Sequence, residues 1–323
     1  MTKTILILTN KDDVTVDYIV MELQRRKIKY YRLNTEDIPS SVIIDFDITN
    51  NSFGLYDIKK DFTLDLSDIT AVYYRRPLIS DLNTLAGIST SEKEYLRSEL
   101  TYILEGIYKV LRNKYWLNYV YRIREAENKI YQLIVAKELG VKLPESIITN
   151  SYNSIIKFIG DNNDNIIKPI KSGHLKKKQN SAAIFTSKYD LNENDQDRLE
   201  LFPNYLQRNI IKSFDIRCIV VGSEVFVAEI HSQNDEESVI DWRRGKNVLK
   251  HSKHVLPDDI KIFCISITRK FELNYSAIDF ILDTNGDYYF LEINPNGQWA
   301  WIENRLGYPI SSKIVDMLVN EGE

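Results

Sequence analysis

The spacing of hydrophobic and polar positions changes several times along this chain. Residues 4–10 form a continuous apolar run of the kind found in buried parallel strands. The apolar positions of residues 14–26 recur with a helical period, and residues 30–34 again have the pattern of a strand. The N-terminal sequence therefore predicts a βαβ unit.

Similar patterns predict the elements of the remaining chain. Amphipathic helices are expected over 90–112, starting at Thr90 or Ser91, over 125–139, with Gly140 as C-cap, over 257–273 and over 309–320. Strands are expected within residues 41–48, 54–66, 70–77, 145–150, 165–170, 182–187 and 204–210, with a hairpin over 215–230 turned at Gly222-Ser223. The aromatic segment 116–126 is interpreted as a connector.

A second hairpin, residues 277–297, carries polar residues in otherwise apolar strands. Asn285-Gly286 favours a two-residue type I′ turn, because both residues tolerate positive φ. Around that turn Asp279 lies opposite Glu292, and Asn294 shares their face because side chains alternate along a strand. The other face is expected to be apolar, formed by Ile278, Phe280, Leu282, Tyr289, Leu291 and Ile293.

The two opposed carboxylates predict a metal site. Like charges that face each other are destabilising, and desolvated carboxylates need a neutralising partner. A divalent cation is the expected partner, and the oxygens of Asp279, Glu292 and Asn294 suit Mg²⁺. Since the metal-free carboxylates would repel each other, Glu292→Gln is expected to leave the metal-free protein at least as stable. A solvated hairpin that binds no metal is the alternative.

Composition and charge narrow the classes of function. A chain of 323 residues is long enough for two or three subdomains, and its net charge of −4 argues against a nucleic-acid partner. Its two cysteines do not suggest a disulfide framework. The sequence shows no signal-peptide pattern and no apolar segment of membrane-spanning length. We therefore expect a cytoplasmic protein with no membrane partner.

Four basic residues recur in or beside the predicted elements, namely Lys129, Lys168, Arg217 and Arg243. Each alone could be a solvated charge. Lys168 is the most informative, because it follows two isoleucines inside a strand, where an unpaired ammonium would be costly. The sequence has neither the Gly-rich dinucleotide loop nor the GxxxxGK[ST] loop, so a nucleotide would be held in another way.

Several short motifs follow one another along the C-terminal two-thirds of the chain: NK…A…LG, IIKP, DIRCIVVG, DWR and LEINPNG. In this order they resemble the ATP-grasp superfamily. DIRCIVVG and DWR are similar to the ribosomal-protein glutamate ligases. YYRRP in the N-terminal part, HSQ after the first hairpin and EINPNGQWAWIE are similar to the microviridin-type macrocyclases, the ATP-grasp peptide ligases that make graspetides.

The resemblance implies an α/β (α+β) ATP-grasp fold in three parts. Residues 1–118 would form a Rossmann-like pre-ATP-grasp domain. Residues 119–205 would form a central α+β subdomain with a flexible phosphate loop, and residues 206–323 a C-terminal α+β subdomain with the metal hairpin. ATP and Mg²⁺ are the implied cofactors.

The resemblance also implies roles for single residues. Lys129 and Lys168 would hold the ATP phosphates, and the loop at Ser172 and Gly173 would fold over them. The hinge strand Gln207, Arg208, Asn209 and Ile210 would contact adenine through backbone groups, although Arg208 and Asn209 stand where related ligases have an acidic and an aromatic residue. Asp279, Glu292 and Asn294 would bind Mg²⁺.

The implied reaction joins a carboxylate to an alcohol or amine through an acyl phosphate. Arg217 and Arg243 would be the catalytic residues, because a guanidinium binds carboxylate and phosphoryl oxygens in a bidentate manner. His231 and Asp241 are the candidates for a general base.

The implied partner is a ribosomal precursor peptide with a leader and a core. Asp or Glu side chains of the core would be joined to Thr or Ser as esters, or to Lys as amides, and a homodimer is a possible assembly. A glutamate-tailing or dipeptide-forming ligase is the main alternative. A non-catalytic ATP-binding regulator is a third hypothesis. The intact set of predicted metal ligands argues against it.

Overall fold

The computed structural model describes residues 4–162, 164–171, 173–176, 181–245 and 248–322. The chain forms two compact units, one of Met1–Ile123, Leu273–Tyr275 and Asn296–Glu323, the other of Arg124–Glu272 and Ser276–Pro295. The division into three parts remains a prediction. Among the described helices, none combines the length and the apolar character needed to cross a membrane.

The described chain contains both α-helices and β-strands, and several strands follow one another directly. The strands are β1 (Thr4–Thr9), β2 (Tyr30–Asn34), β3 (Val42–Asp47), β4 (Ser52–Asp57), β5 (Phe62–Asp65), β6 (Ile69–Tyr74), β7 (Tyr115–Leu117), β8 (Ser146–Thr149), β9 (Asn165–Lys168), β10 (Gly173–Lys176), β11 (Ser181–Ile184), β12 (Ser187–Lys188), β13 (Asn204–Arg208), β14 (Lys212–Val221), β15 (Glu224–Ile230), β16 (His251–Lys253), β17 (Tyr275–Asp283) and β18 (Tyr288–Asn294). The helices are α1 (Val14–Arg25), α2 (Thr90–Val110), α3 (Val120–Ala126), α4 (Lys129–Glu138), α5 (Tyr152–Ile159), α6 (Gln196–Glu200), α7 (Asp258–Lys270), α8 (Ala300–Leu306) and α9 (Ile310–Asn320).

The first unit is built on the βαβ arrangement that the sequence predicts. Its parallel sheet has the order β2-β1-β6-β7, and β1 is buried at every position, as a continuous apolar run requires. β3, β4 and β5 form a separate antiparallel sheet. The α2 helix begins at Thr90, as predicted, where Ser89 and Glu92 form a capping box.

Segment 116–126 is a correction to the sequence analysis. It is not a connector, because its first residues complete β7 and its remainder forms α3. Trp116, Val120 and Ile123 are buried, which explains the apolar and aromatic character of the segment.

The YYRRP motif ends β6, and Arg75 within it is 1% exposed. Its Nη1 donates to the carbonyl oxygens of Asn296 and Gly297 at 2.6 and 2.9 Å, and its Nε lies 3.1 Å from Asp13 Oδ2. All four residues belong to the first unit. Arg75 therefore holds the chain that follows the β17–β18 hairpin.

The second unit contains two larger sheets with helices packed against them, together with the two-stranded β10–β11 sheet. One sheet has the order β12-β9-β13-β8 and packs its apolar side chains against α5 and α6, two helices that the sequence analysis did not predict. The other has the order β16-β15-β14-β17-β18, with α7 packed against it. Cys218 and Cys264 are buried and free, so they contribute to the core rather than to a disulfide.

Candidate active site

Asp279 and Glu292 lie directly opposite each other on β17 and β18, which confirms the predicted pairing. The loop between the strands differs from the prediction. The N–H of Asp283 donates to Asp287, and Gly286 has a positive φ of 89°, so the loop is the longer glycine-containing type rather than a two-residue turn. A β-bulge after Asp279 then shifts the register back. The longer loop and the bulge shift the pairing in opposite directions, so Asp279 still faces Glu292.

The longer loop also changes which side chains face α7. Phe280 pairs with Phe290 rather than with Leu291, and both rings pack against Phe263. Tyr289 pairs with Ile281, and Leu291 lines the cavity. The prediction that Tyr289 and Leu291 belong to the apolar face was wrong, because the loop shifts the pairing by one residue between the turn and the bulge, and such a shift moves side chains to the other face.

The hairpin lines a cavity of about 540 Å³ in the second unit. Its lining includes Asp279, Glu292, Asn294, Lys129, Lys168, Asp241 and Arg243. The volume lies within the range of roughly 300 to 1,000 Å³ that is usual for small-molecule sites. Lys129, Lys168, the three predicted metal ligands and Arg243 are therefore gathered at one cavity, and Arg217 contacts it through Asp279.

The two carboxylates are neutralised by side chains of the protein. Arg217 Nε lies 2.7 Å from Asp279 Oδ1, Lys129 Nζ lies 3.0 Å from Glu292 Oε2, and Arg243 Nη1 lies 3.8 Å from Glu292 Oε1. The sequence analysis expected a divalent cation in this role, and that expectation remains a prediction. The three protein cations were not foreseen, because their contacts join residues far apart in the chain.

Burial acts differently on the two carboxyl groups. Burial raises the pKa of Asp279 to about 6, with Arg217 opposing and Glu292 adding to the increase. For Glu292 burial also favours the neutral form, but Lys129 and Arg243 outweigh it and hold its pKa below the usual value. Glu292 is therefore the more firmly ionised of the two candidate ligands.

The donor set suits a magnesium ion that shares its ligands with a nucleotide. The described residues contain no group of three or more His, Cys, Asp or Glu side chains arranged to hold a metal. A metal at this hairpin would take two carboxylates and the amide oxygen of Asn294 from the protein. Mg²⁺ commonly has only one or two protein carboxylates and completes its octahedron with water and phosphate oxygens.

Two lysines face the cavity from different elements. Lys129 is the first residue of α4, where Asn128 caps the helix by accepting the N–H of Tyr131. Lys168 ends β9, as predicted, and its Nζ donates to Gln207 Oε1 at 2.9 Å. Burial lowers the pKa of Lys168 to about 8. Such a desolvated ammonium gains more than an exposed one from a phosphate group.

Two arginines lie beside the carboxylates. Arg243 forms a bidentate pair with Asp241, with 2.8 Å for both Nε to Oδ1 and Nη2 to Oδ2. Arg217 is 8% exposed, and its guanidinium carbon lies 5.8 Å from the ring centroid of Trp242. Among the described residues its Nε and Nη1 have no aligned hydrogen-bond acceptor, although Nε is ion-paired with Asp279. Buried donors of this kind suit a carboxylate or phosphoryl oxygen.

Gln207 is the hinge residue whose side chain reaches the site. Its Oε1 accepts from Lys168, and its Nε2 is a buried donor without an acceptor among the described residues. Gly173 begins β10 and pairs with Ile184 across the β10–β11 hairpin. Ser172, predicted to bind phosphate with it, lies outside the described residues.

Arg208 and Asn209 are engaged by the surrounding chain. Arg208 Nη1 donates to the carbonyl oxygen of Ile159 at the end of α5 and to Asn165 Oδ1. Asn209 lines the cavity, and its side chain donates to Asp164. The backbone N–H groups of Arg208 and Asn209 also donate to main-chain carbonyls. The adenine contacts of Gln207–Ile210 remain a prediction. The N–H groups of Arg208 and Asn209 could contact adenine only if they gave up these carbonyl partners.

The two candidates for a general base have different surroundings. His231 Nε2 lies 3.1 Å from Glu229 and 3.0 Å from Ser252, and it does not line the cavity. Asp241 does line it, but its oxygens accept from Arg243 and from the N–H of Thr186. Burial favours its neutral form, yet Arg243 lowers its pKa on balance. Asp241 is therefore placed to orient Arg243.

The sequence analysis assigned no role to two groups at the cavity. Lys212 Nζ lies 2.7 Å from Asp215 in a buried pair, and Ser232 donates to the same carboxylate. Lys212, Asp215 and Arg217 lie within one short motif of the sequence, and this clustering of charges could have indicated that Lys212 and Asp215 belong to the site. Gln132 lines the cavity and contacts the backbone of β18. No local pattern indicated that contact, because a glutamine on a helix is usually solvated.

Two family models match consecutive parts of the chain. A RimK-like ATP-grasp domain matches residues 126–318, and an MvdD pre-ATP grasp domain matches residues 4–124. Among curated proteins, the probable alpha-L-glutamate ligases of two Haemophilus influenzae strains, PittEE and 86-028NP, are each 31% identical over 116 residues, which is 35% of this chain. The chain spans only 38% and 37% of the length of these relatives.

Solved structures are similar over nearly the whole chain. The macrocyclase MdnC of Microcystis aeruginosa MRC, bound with precursor peptide MdnA, is 26% identical with a TM-score of 0.84, covering 98% of this chain and 99% of MdnC. A Chryseobacterium gregarium RiPP-associated ATP-grasp ligase, in complex with ADP and a leader and core peptide, is 25% identical with a TM-score of 0.86, covering 98% of this chain and 96% of that one. The fold at the cavity is thus one that other chains use with nucleotide and peptide.

Proposed function

We propose that this chain, which belongs to the RimK-like ATP-grasp family of ADP-forming ligases, macrocyclises a ribosomal precursor peptide. The observation that carries the proposal is the meeting of the opposed Asp279 and Glu292 with Lys129, Lys168 and Arg243 at one cavity. The likeness to MdnC over almost the full length, including the part matched by the MvdD model, supports a peptide substrate.

ATP, when bound, would supply the phosphoryl group that converts a substrate carboxylate into an acyl phosphate. The nucleophile can then displace phosphate, which is a far better leaving group than oxide. Lys129 and Lys168 would bind the phosphates, and Asp279, Glu292 and Asn294 would hold Mg²⁺. Phosphoryl transfer needs positioning and charge neutralisation more than a protein nucleophile. The cations and carboxylates at the cavity are therefore a sufficient set.

The arginines would act on the peptide. The Nη1 group of Arg217, which has no acceptor among the described residues, and the guanidinium of Arg243 would hold the Asp or Glu carboxylate of the core and stabilise the negative charge that develops during acyl transfer. Asp241 would keep Arg243 in a fixed orientation through its bidentate contact. A Thr or Ser hydroxyl would then give an ester, and a Lys amine an amide, with phosphate as the leaving group.

The test is mass spectrometry of a peptide encoded beside the gene, after incubation with the protein, ATP and Mg²⁺. Cyclisation removes one water mass for each bond formed, and mild alkaline hydrolysis restores that mass for an ester but not for an amide. ATP consumption without any change in peptide mass would contradict the proposal.

A glutamate-adding ligase is the second candidate, favoured by the match to the probable alpha-L-glutamate ligases. In the same assay it would add glutamyl units to its acceptor instead of removing water. The match covers 35% of the chain, whereas the likeness to MdnC extends over 98% of it, which favours cyclisation.

A further inference from the structure

The side-chain amide of Gln132 holds the backbone of β18 between two of the proposed metal ligands. Its Oε1 accepts the N–H of Ile293 at 3.1 Å, and its Nε2 donates to the carbonyl oxygen of the same residue at 2.8 Å. Nε2 also donates to the carbonyl oxygen of Ala126 at 2.6 Å. Gln132 is 3% exposed, so these bonds are made out of contact with water.

The two bonds to Ile293 fix two peptide planes. The N–H of Ile293 belongs to the peptide unit that begins at Glu292, and its carbonyl belongs to the unit that ends at Asn294. Because each peptide unit is planar, holding both groups fixes the backbone from which both side chains project. A single side chain thus controls the direction of a carboxylate ligand and an amide ligand.

β18 needs such a partner because it is the edge strand of its sheet. The outer edge of such a strand presents N–H and C=O groups that have no neighbouring strand to pair with. Here the carbonyl of Lys142 accepts the N–H of Phe290 at 2.9 Å, and the amide of Gln132 takes the place of a neighbouring strand at Ile293. The metal-ligating end of β18 therefore depends on a side chain of α4.

Gln132 and Lys129 also lie on one face of α4, since residues three apart on a helix are neighbours. Lys129 contacts the carboxylate of Glu292 while Gln132 contacts the next residue along the strand. Both N–H donors of the Gln132 amide are already used by carbonyl oxygens. The side chain has no donor left for a ligand.

We propose that Gln132 is a positioning residue for the metal site, which acts through the backbone of Ile293 on Glu292 and Asn294. The inference rests on the proposed function only in taking these residues as Mg²⁺ ligands. Groups that orient metal ligands typically contribute about 10- to 100-fold to metal affinity. Gln132→Met should therefore raise the Mg²⁺ concentration needed for half-maximal ADP binding by roughly 10-fold or more.

The experiment is calorimetric titration of ADP at a series of Mg²⁺ concentrations, together with thermal unfolding. Methionine keeps the length and helix propensity of glutamine, and Gln132→Leu, which also removes the amide without adding a charge, serves if Gln132→Met does not fold. Asn204→Leu is the matched control, because Asn204 is a buried amide that donates to the carbonyls of Leu199 and Phe202 and does not line the cavity. It should lower the melting temperature and leave the Mg²⁺ requirement unchanged.

A second measurement separates positioning from general destabilisation. In an Asn294→Ala background, Gln132→Met should add a smaller loss of Mg²⁺ affinity than in the parent, because part of its effect passes through Asn294. An unchanged Mg²⁺ requirement in Gln132→Met, or an equal change in Asn204→Leu, would overturn the inference while leaving the proposed function standing. A parent protein that binds ADP without any dependence on Mg²⁺ would overturn both.

Discussion

Lys129 and Glu292 form an ion pair, with 3.0 Å between Nζ and Oε2, and both side chains are about four-fifths buried. The lysine that we assign to phosphate thus neutralises a carboxylate that we assign to Mg²⁺. Arg217 and Asp279 repeat this arrangement, with a guanidinium assigned to the acceptor carboxylate. Each metal ligand can be released to Mg²⁺ when its cation is taken over by a ligand anion.

The first prediction concerns Glu292→Gln. From the sequence alone, two opposed carboxylates predict that this change relieves repulsion in the metal-free protein. The ion pair reverses the expected sign, because glutamine would leave Lys129, Lys168 and Arg243 close together without that counter-charge. We expect the free energy of unfolding to fall by about 1 to 3 kcal/mol, the usual contribution of a hydrogen bond to a charged group. Denaturant unfolding in the absence of Mg²⁺ measures it.

Asp287→Asn is the control for this prediction. Asp287 pairs with Lys142 at 2.6 Å at the turn of the same hairpin, but the side chains of Lys142 and Asp287 are 56% and 41% exposed, against about 20% for the buried pair. An exposed pair contributes about 0 to 1 kcal/mol, so this variant should unfold almost like the parent. A Glu292→Gln protein as stable as Asp287→Asn would show that the buried pair contributes little.

The second prediction is that Lys129→Met changes metal and nucleotide affinity in opposite directions. Loss of the ammonium frees Glu292 for a cation, so binding of Mn²⁺ alone, measured by electron paramagnetic resonance, should become tighter by a few-fold. ADP binding should weaken by roughly 10-fold or more, because a charge-assisted hydrogen bond to phosphate is lost. Lys142→Met, which removes an exposed lysine, should change neither value. Equal weakening of both would contradict the exchange of partners.

Much of the fold could be predicted from the sequence because its patterns are long or strongly marked. The βαβ unit has an unbroken apolar strand followed by a clear helical period. In contrast, β7 and α3 span only Tyr115–Leu117 and Val120–Ala126, too short for either period to emerge. The α5 helix was missed for the same reason, since it spans only Tyr152–Ile159.

The site could be predicted where its geometry is local. Asp279 and Glu292 face each other because a short hairpin sets their pairing, although the loop and the bulge contributed compensating errors. The contacts of Lys129 with Glu292 and of Gln132 with Ile293 join residues far apart in the chain. No periodicity within α4 encodes a partner on β18, so only the tertiary structure shows these contacts.

The third prediction is a pH dependence of nucleotide affinity. Lys168 has a pKa of about 8 in the folded protein, below the usual value for lysine, because burial disfavours its charged form. Phosphate favours the charged form, so binding takes up a proton once the pH exceeds about 8. ADP affinity should be nearly constant below that pH and should fall above it, by at most about tenfold per pH unit.

Lys168→Arg is the control, because a guanidinium stays protonated throughout this range. Calorimetry between about pH 6.5 and pH 9.5 covers the pKa of Lys168 from both sides. Over this range the ADP affinity of Lys168→Arg should depend less on pH than that of the parent. A parent whose affinity is constant up to the top of this range would contradict the role of Lys168 in phosphate binding.

The last prediction separates the two arginines of the DWRR sequence. Arg243 lines the cavity and is held by both oxygens of Asp241, whereas Arg244 donates to the carbonyl oxygen of Thr186 and does not line the cavity. Lysine provides a point charge where Arg243 provides two parallel donors. Arg243→Lys should therefore lower peptide ligation by roughly 100-fold, similar to the loss of one group that stabilises developing charge, with ADP affinity within a few-fold of the parent. Arg244→Lys should ligate nearly as fast as the parent.

Product formation is measured by mass spectrometry and ADP binding by calorimetry for both variants. An Arg243→Lys enzyme as active as Arg244→Lys would show that Arg243 does not act on the acceptor carboxylate.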